Sequence, residues 1–76
     1  MSETAHKILE ENLGNLVLIK TREGVAIRGR LRSFDQHLNV VLEDAEEIRK
    51  EPSSPRRLGT VVIRGDNIIF ISPLTE

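Results

Sequence analysis

The sequence predicts a small all-β protein, in which an N-terminal helix precedes a strongly bent five-stranded antiparallel sheet or partly open barrel. Two observations carry this prediction. Short runs of branched apolar residues recur between turn-forming residues, and Gly29 interrupts the second run on its apolar side. With 76 residues and no linker, repeat or low-complexity tract, the chain is expected to form a single domain over residues 1–76.

The N-terminal segment is predicted to be helical over about residues 3–13. Ser2 or Thr4 can cap its start, and Gly14 is placed to end it. Its apolar stripe, expected to pack on the body of the domain, consists of Ile8, Leu9 and Leu13. His6 is predicted to be a surface residue of this helix.

Five short strands account for most of the remaining sequence. They are predicted at about residues 16–19, 25–32, 38–43, 58–63 and 68–71. Gly29 indicates a sharp bend or a close backbone approach inside the second strand. The polar segment from 46 to 57 contains two prolines and two serines and is predicted to be a loop. Arg64–Asn67 is predicted to be a tight hairpin turn in which Gly65 takes a positive φ.

The fourth and fifth strands are apolar on both faces, at Val61–Ile63 and Ile68–Ile71. Such strands must be covered on both sides or must pair with another chain. In the alternative, both strands lie at the centre of a monomeric core, but a domain of this size buries too little surface to cover both easily. The pattern therefore favours oligomerisation by strand addition.

Composition excludes several function classes. The net charge is −1 and there are no cysteines, so neither a basic coat for nucleic acid nor a thiolate metal site is expected. Asp35 and His37 form no recognisable catalytic set with a nucleophile, so we predict no catalysis. Two histidines far apart in a chain without cysteine give no recognisable metal cluster, so no metal or other cofactor is predicted. Arg28, Arg30 and Arg32 are interpreted as a solvated strand face. No segment has the apolar length of a signal peptide or a membrane span, which predicts a cytoplasmic protein without membrane contact.

Polar chemistry is concentrated in two turns, within Ser33–Val40 and Ile63–Ile68. Together they supply the imidazole of His37, the amide of Asn39 and the guanidinium of Arg64. These groups suffice to stack on a nucleobase and to hydrogen-bond its edge. His37 and Asn39, two residues apart, would share one side of an extended backbone. Asn39 has a competing interpretation, since asparagine also stabilises its own turn.

Both segments resemble the two motifs of the Sm/Lsm family, most closely its archaeal Sm-like proteins. The first, within about 14–43, reads Gly24-x4-Gly29-x-Leu31-x2-Phe34-Asp35-x2-Leu38-Asn39-Val40-x-Leu42. The second, within about 58–73, reads Ile63-Arg64-Gly65-Asp66-Asn67-Ile68-x-Phe70-Ile71-Ser72-Pro73. Leu38 stands where methionine is common in the family, an exchange that conserves volume.

The resemblance implies an Sm fold and a ring, typically of seven subunits, closed by pairing of strand 4 with strand 5 of the neighbour. It also implies that the ring binds single-stranded uridine-rich RNA at its pore and acts in RNA processing or as an RNA chaperone. RNA-processing proteins are its expected protein partners. His37 and Arg64 would stack on uracil and Asn39 would bind its Watson–Crick edge. Asp35 would orient Asn39 or Arg64, and the backbone of Gly65 and Asp66 would help to hold the base.

An assembly or protein-interaction module with incidental RNA contact is the alternative function. Such a module has no need for His37, Asn39 and Arg64 on one rim. Convergence of these side chains therefore favours RNA binding over assembly alone.

Overall fold

The computed structural model describes residues 2–49 and 55–74, and in these ranges the predicted helix and five strands are confirmed. Their bounds are α1 Ser2–Glu11, β1 Leu16–Thr21, β2 Ala26–Phe34, β3 Val40–Ile48, β4 Arg56–Ile63 and β5 Ile68–Pro73. A short 3-10 turn, Gly65–Asn67, connects β4 to β5. All strand pairs are antiparallel, in the order β4-β3-β2-β1-β5.

The two ends of the sheet are β4 and β5, which are neighbours in sequence but not in the sheet. The predicted hairpin at Arg64–Asn67 is therefore wrong, because β5 crosses over to pair with β1. Gly65 also lacks the predicted positive φ, which occurs instead at Gly14, Gly24 and Gly59. Both end strands expose apolar side chains, with 68% of Val62 and 61% of Ile69 accessible.

Gly29 marks the bend of the sheet, as predicted. A Cβ placed on it would lie 3.1 Å from the Cβ of Leu42 and 3.2 Å from the Cα of Ala45 on the adjacent strand. Opposite Gly29, Asp44 has a φ of 53°, and the β2–β3 register shifts between Arg28 and Arg30. A glycine on one strand and a bulge on its partner together let the sheet curl around its core.

The core lies inside the curled sheet and is closed by α1. It consists of Leu9, Val17, Ile19, Leu31, Val40, Leu42, Ala45 and Ile63. Leu9 is the buried member of the helix stripe; Ile8 and Leu13 remain about half exposed. The prediction that the whole stripe packs on the domain is therefore only partly correct, and Leu13 lies beyond the end of α1 at Glu11.

Two further predictions about the helix need correction. The helix begins at Ser2, so Thr4 lies inside it and is not its cap, whereas the Ser2 side chain falls outside the described part of the structure. His6 is not a surface residue: it is half-buried, and its ring stacks on Phe34 with centroids 5.8 Å apart. Gly14 ends the helical region at a φ of +86°, as predicted.

The loop between β3 and β4 is shorter than the predicted 46–57. Glu46 pairs with Arg57 and Glu47 with Arg56 across the two strands, so the sheet continues to Ile48 and resumes at Arg56. Opposite charges facing each other favour strand pairing where the residue types alone indicate a loop. Residues 50–54 of the predicted loop lie outside the described ranges.

Candidate nucleic-acid interface

The β2–β3 turn is organised by the carboxylate of Asp35. Its Oδ1 accepts hydrogen bonds from the backbone N–H groups of His37 at 2.9 Å and Asn39 at 3.0 Å. Its Oδ2 accepts a third from the side-chain amide of Asn39 at 3.0 Å. Backbone hydrogen bonds from Leu38 to Asp35 and from Asp35 to Asn39 close the turn. Asp35 therefore orients Asn39, one of the two roles that the family resemblance implies for it.

Leu38 lies in the left-handed region, with a φ of 63°. As a result β3 begins at Val40. The alternation of apolar residues had indicated a start at Leu38. The expectation that His37 and Asn39 share one side of an extended strand is also wrong. The turn itself, and not strand periodicity, determines where their side chains lie.

Asn39 connects this turn to the β4–β5 turn. Its Oδ1 accepts a hydrogen bond from the backbone N–H of Gly65 at 2.8 Å, while its Nδ2 donates to Asp35. A carboxylate only accepts and a backbone N–H only donates, so these two partners fix which end of the amide carries the oxygen. One N–H and one oxygen lone pair of the amide remain available.

Gly65 lets the two turns approach each other. A Cβ at this position would collide with the carbonyl oxygen of His37 and would lie 3.0 Å from the carbonyl carbon and oxygen of Leu38. Glycine is thus required here for close backbone packing. This is a different reason from the positive φ that the sequence suggested.

Arg64 and Asp66 flank Gly65 on the exposed side of the turn. The Nη2 of Arg64 lies 3.3 Å from Oδ2 of Asp66. Sequence reasoning missed Arg22, whose Nη1 donates to the Asp66 carbonyl at 3.4 Å and whose backbone N–H donates to Asn67 at 2.9 Å. No local pattern reveals this contact, because it depends on the pairing of β5 with β1.

A shallow cavity lies where the two turns meet. It is lined by Ser33, Phe34, Asp35, Asn39, Val41, Val62 and Arg64. Three of the predicted site residues, Asp35, Asn39 and Arg64, thus line one cavity. Gly65 lies beside it and donates its backbone N–H to Asn39. His37 lies on the same turn but does not line this cavity, and Asp66 lines an adjacent one with Arg22.

The electrostatics of the turn keep Asp35 ionised. The hydrogen bond from the Asn39 side chain lowers the pKa of Asp35 below its ordinary value, and the backbone N–H groups of Asn39 and His37 add to the effect. At neutral pH the carboxylate is therefore a hydrogen-bond acceptor for all three donors.

The arginines of β2 form a separate charged surface. Arg28, Arg30 and Arg32 each bond a carboxylate of β3 at 2.7–2.9 Å: Glu46, Asp44 and Glu43 respectively. We call this set of three ion pairs the charge ladder. Because the arginine side chains remain 43–63% exposed, the ladder is the solvated face predicted from the sequence.

Residues 2–49 and 55–74 hold no cluster of three or more histidine, aspartate or glutamate side chains suited to a metal ion. The helix found there is too short and too polar to span a bilayer.

The LSM domain model matches residues 7–73, a range that includes both sequence motifs and both turns of the cavity. This chain belongs to the LSM family. A protein of Pyrococcus abyssi described as snRNP Sm-like is 43% identical over 76 residues, the full length of both chains. The family resemblance inferred from the two motifs is confirmed.

Solved LSM structures share the fold. The SmAP1 heptamer of P. aerophilum superposes with a TM-score of 0.88 at 48% identity, covering 96% of each chain. The Sm protein of Pyrococcus abyssi, solved in complex with a uridine heptamer, superposes with a TM-score of 0.81 at 44% identity. That match covers 90% of this chain and 94% of the other.

Proposed function

We propose that this LSM protein forms a homo-oligomeric ring, of seven subunits, that binds single-stranded uridine-rich RNA at its pore and acts in RNA processing or as an RNA chaperone. The single observation that carries the proposal is the fixed amide of Asn39 at a cavity shared with Arg64. The uridine complex of the similar Pyrococcus abyssi protein supports it.

The fixed amide is suited to uracil. Asp35 and Gly65 leave Asn39 with one free N–H and one free lone pair, and uracil offers an O4 acceptor beside an N3–H donor. Cytosine reverses this order, with an N4–H donor beside an N3 acceptor. The amide cannot rotate to follow the reversal without losing both of its protein partners. A base held in place by stacking would therefore be accepted as uracil and disfavoured as cytosine.

Stacking would come from His37 and Arg64, one on each face of the base, with the Gly65–Asp66 backbone beside it. Both side chains are exposed and lie on the two turns that flank the cavity. Stacking of a base on a planar side chain contributes about 1–3 kcal/mol and tolerates any base. Affinity would thus come mainly from stacking, and specificity from Asn39.

The ring is proposed from the two ends of the sheet. Strands β4 and β5 each present an unpaired edge, with Val62 exposed on one and Ile69 and Phe70 on the other. Pairing β4 of one subunit with β5 of the next is a heterologous contact, which closes into a ring when the rotation per step permits. The heptamer of the similar P. aerophilum protein supports seven subunits.

We propose a binding role without catalysis, located in the cytoplasm. The carboxylate of Asp35 bonds the backbone N–H of His37 and the amide of Asn39, so its hydrogen bonds serve the turn and not an acid–base pair with the imidazole. Partner proteins of RNA processing remain a prediction of the family resemblance.

The test is fluorescence anisotropy with oligo(U) and oligo(C) of equal length at one stated salt concentration. Both strands carry the same charge, so a clear preference for oligo(U) supports recognition of the base edge. Equal binding of the two strands would refute recognition of the base edge, and absent binding would refute RNA binding itself. Either result would favour an assembly module. Light scattering on the same sample tests the ring, which a stable monomer at micromolar concentration would rule out.

A further inference from the structure

We propose that Leu38 is a positioning residue for the base-binding cavity, anchoring the turn that carries His37 and Asn39. This inference rests on the proposed function and adds a residue that itself contacts no base. Its starting observation is the φ of 63° at a leucine, in a region that residues with a Cβ rarely occupy. Such a conformation persists only where surrounding contacts hold it.

Polar contacts within the turn are one of two sets of contacts that keep Leu38 in this conformation. Three donors, the N–H groups of His37 and Asn39 and the Asn39 amide, point at the Asp35 carboxylate. This arrangement requires the chain to reverse direction between His37 and Asn39, and Leu38 supplies the reversal.

Apolar packing of the Leu38 side chain is the second set of contacts. It packs against the core and lines an apolar groove between α1 and β5, together with Leu9, Ile68 and Ile71. Gly65 lines the same groove and approaches the Leu38 carbonyl from the second turn. Leu38 is thus held between the apolar groove on one side and the hydrogen-bonded turn on the other.

Geometry at the base edge depends on this anchor. Asn39 follows Leu38 directly and bonds both Asp35 and Gly65, so a change in the Leu38 backbone would move the amide away from one partner or the other. Stacking by Arg64 comes from the other turn and would be less affected. Loss of the anchor is therefore expected to reduce preference for uracil more than affinity for RNA in general.

The test uses three substitutions of Leu38 in the assembled protein, titrated with oligo(U) and oligo(C). Leu38→Ala removes the anchor but keeps the strain, and the expected loss of oligo(U) affinity is about tenfold, the equilibrium equivalent of releasing one left-handed residue. Leu38→Gly also removes the anchor but adopts a positive φ freely, so a smaller loss is expected. Leu38→Met keeps the volume and should bind as the wild type does.

Hydrogen–deuterium exchange gives a readout independent of binding. Peptides covering residues 33–42 should exchange faster in Leu38→Ala and Leu38→Gly, because the amides bonded to Asp35 are released, while the β1 peptides stay protected. Ile8→Ala is the matched control, since it removes apolar surface from the same groove outside the turn and should leave oligo(U) affinity unchanged.

The outcomes separate this inference from the proposed function. If the wild type shows no preference for oligo(U), the proposed function itself fails. If it does, and Leu38→Gly binds and exchanges like the wild type, the side-chain anchor is refuted. Because Leu38→Gly is compatible with the backbone conformation, this result remains decisive even if Leu38→Ala does not fold.

Discussion

The β2–β3 turn and the charge ladder both depend on carboxylates that accept hydrogen bonds, but only the turn leaves a polar side chain free to bind a ligand. In the ladder, each arginine of β2 faces a carboxylate of β3, and the charges satisfy one another. In the turn, one carboxylate gathers three N–H donors and leaves the Asn39 amide with free hydrogen-bonding capacity. Regular strands place opposite charges side by side, whereas a reversed chain can hold a polar group fixed and still available. Binding chemistry is thus expected at the turn and not at the more highly charged surface.

Gly65→Ala is expected to have the largest effect on the turn. The new Cβ would collide with the His37 carbonyl and separate the two turns. Overpacking of this kind typically destabilises by about 1–3 kcal/mol, and oligo(U) affinity should fall on the order of tenfold or more. Anisotropy titration measures the loss.

Gly59→Ala is the control for Gly65→Ala. Gly59 has a φ of +75° and open space where a Cβ would be, so alanine adds backbone strain without a collision. It should lower the unfolding temperature while leaving oligo(U) affinity unchanged. Similar binding losses in both variants would show that the approach of the two turns is not needed for the site.

Arg64→Ala compared with Arg30→Ala tests whether position or charge determines binding. Both substitutions remove one positive charge, but Arg64 lines the cavity and Arg30 belongs to the ladder. Loss of stacking at Arg64 should weaken oligo(U) and oligo(C) alike, by about 1–3 kcal/mol per base. Arg30→Ala should leave both affinities nearly unchanged, and an equal loss from the two variants would assign binding to general charge.

The pH dependence of stability tests the role of Asp35 in the turn. Its folded-state pKa lies below the ordinary value, so the carboxylate stabilises the fold above a pH of about 4, and this contribution is lost as the pH falls through the folded-state pKa. The difference in unfolding temperature between wild type and Asp35→Asn should be constant from pH 7 to 5 and shrink at lower pH. A difference that persists unchanged to pH 3 would contradict the arrangement around Asp35.

The ladder itself is expected to contribute least. Two of its pairs are exposed and the Arg28–Glu46 pair is partly exposed, and such ion pairs typically add about 0–1 kcal/mol, with a decrease at high salt. Denaturant unfolding of Arg30→Ala should therefore give nearly the wild-type free energy. A loss well above that range would mean that the ladder holds the bent sheet together.

Local sequence patterns predicted those features that depend on local chemistry. The strands, the bend at Gly29 and the two polar turns were found because branched residues, an isolated glycine and turn formers each have a physical preference. Asp35, Asn39 and Arg64 were placed together through the family resemblance, and they line one cavity in the structure.

The features that the sequence did not predict depend on contacts between distant segments of the chain. The crossover of β5 to β1 places Arg22 beside Asp66, and the packing of α1 places His6 on Phe34. The left-handed Leu38 is likewise invisible in the sequence, because leucine has no intrinsic preference for that conformation and the surrounding fold imposes it. Such contacts arise only once the whole sheet has formed.

The central claim is that the fixed Asn39 amide recognises the N3–H and O4 of uracil. Its most direct test compares oligo(U) with an equal-length oligomer of N3-methyluridine, which keeps charge and stacking but lacks the N3–H donor, on wild type and on Asn39→Ala. Methylation should weaken binding to the wild type by about tenfold for each bound base, the equivalent of one hydrogen bond at the upper end of its usual range. Asn39→Ala should bind both strands alike. Equal binding of both strands by the wild type would contradict the claim.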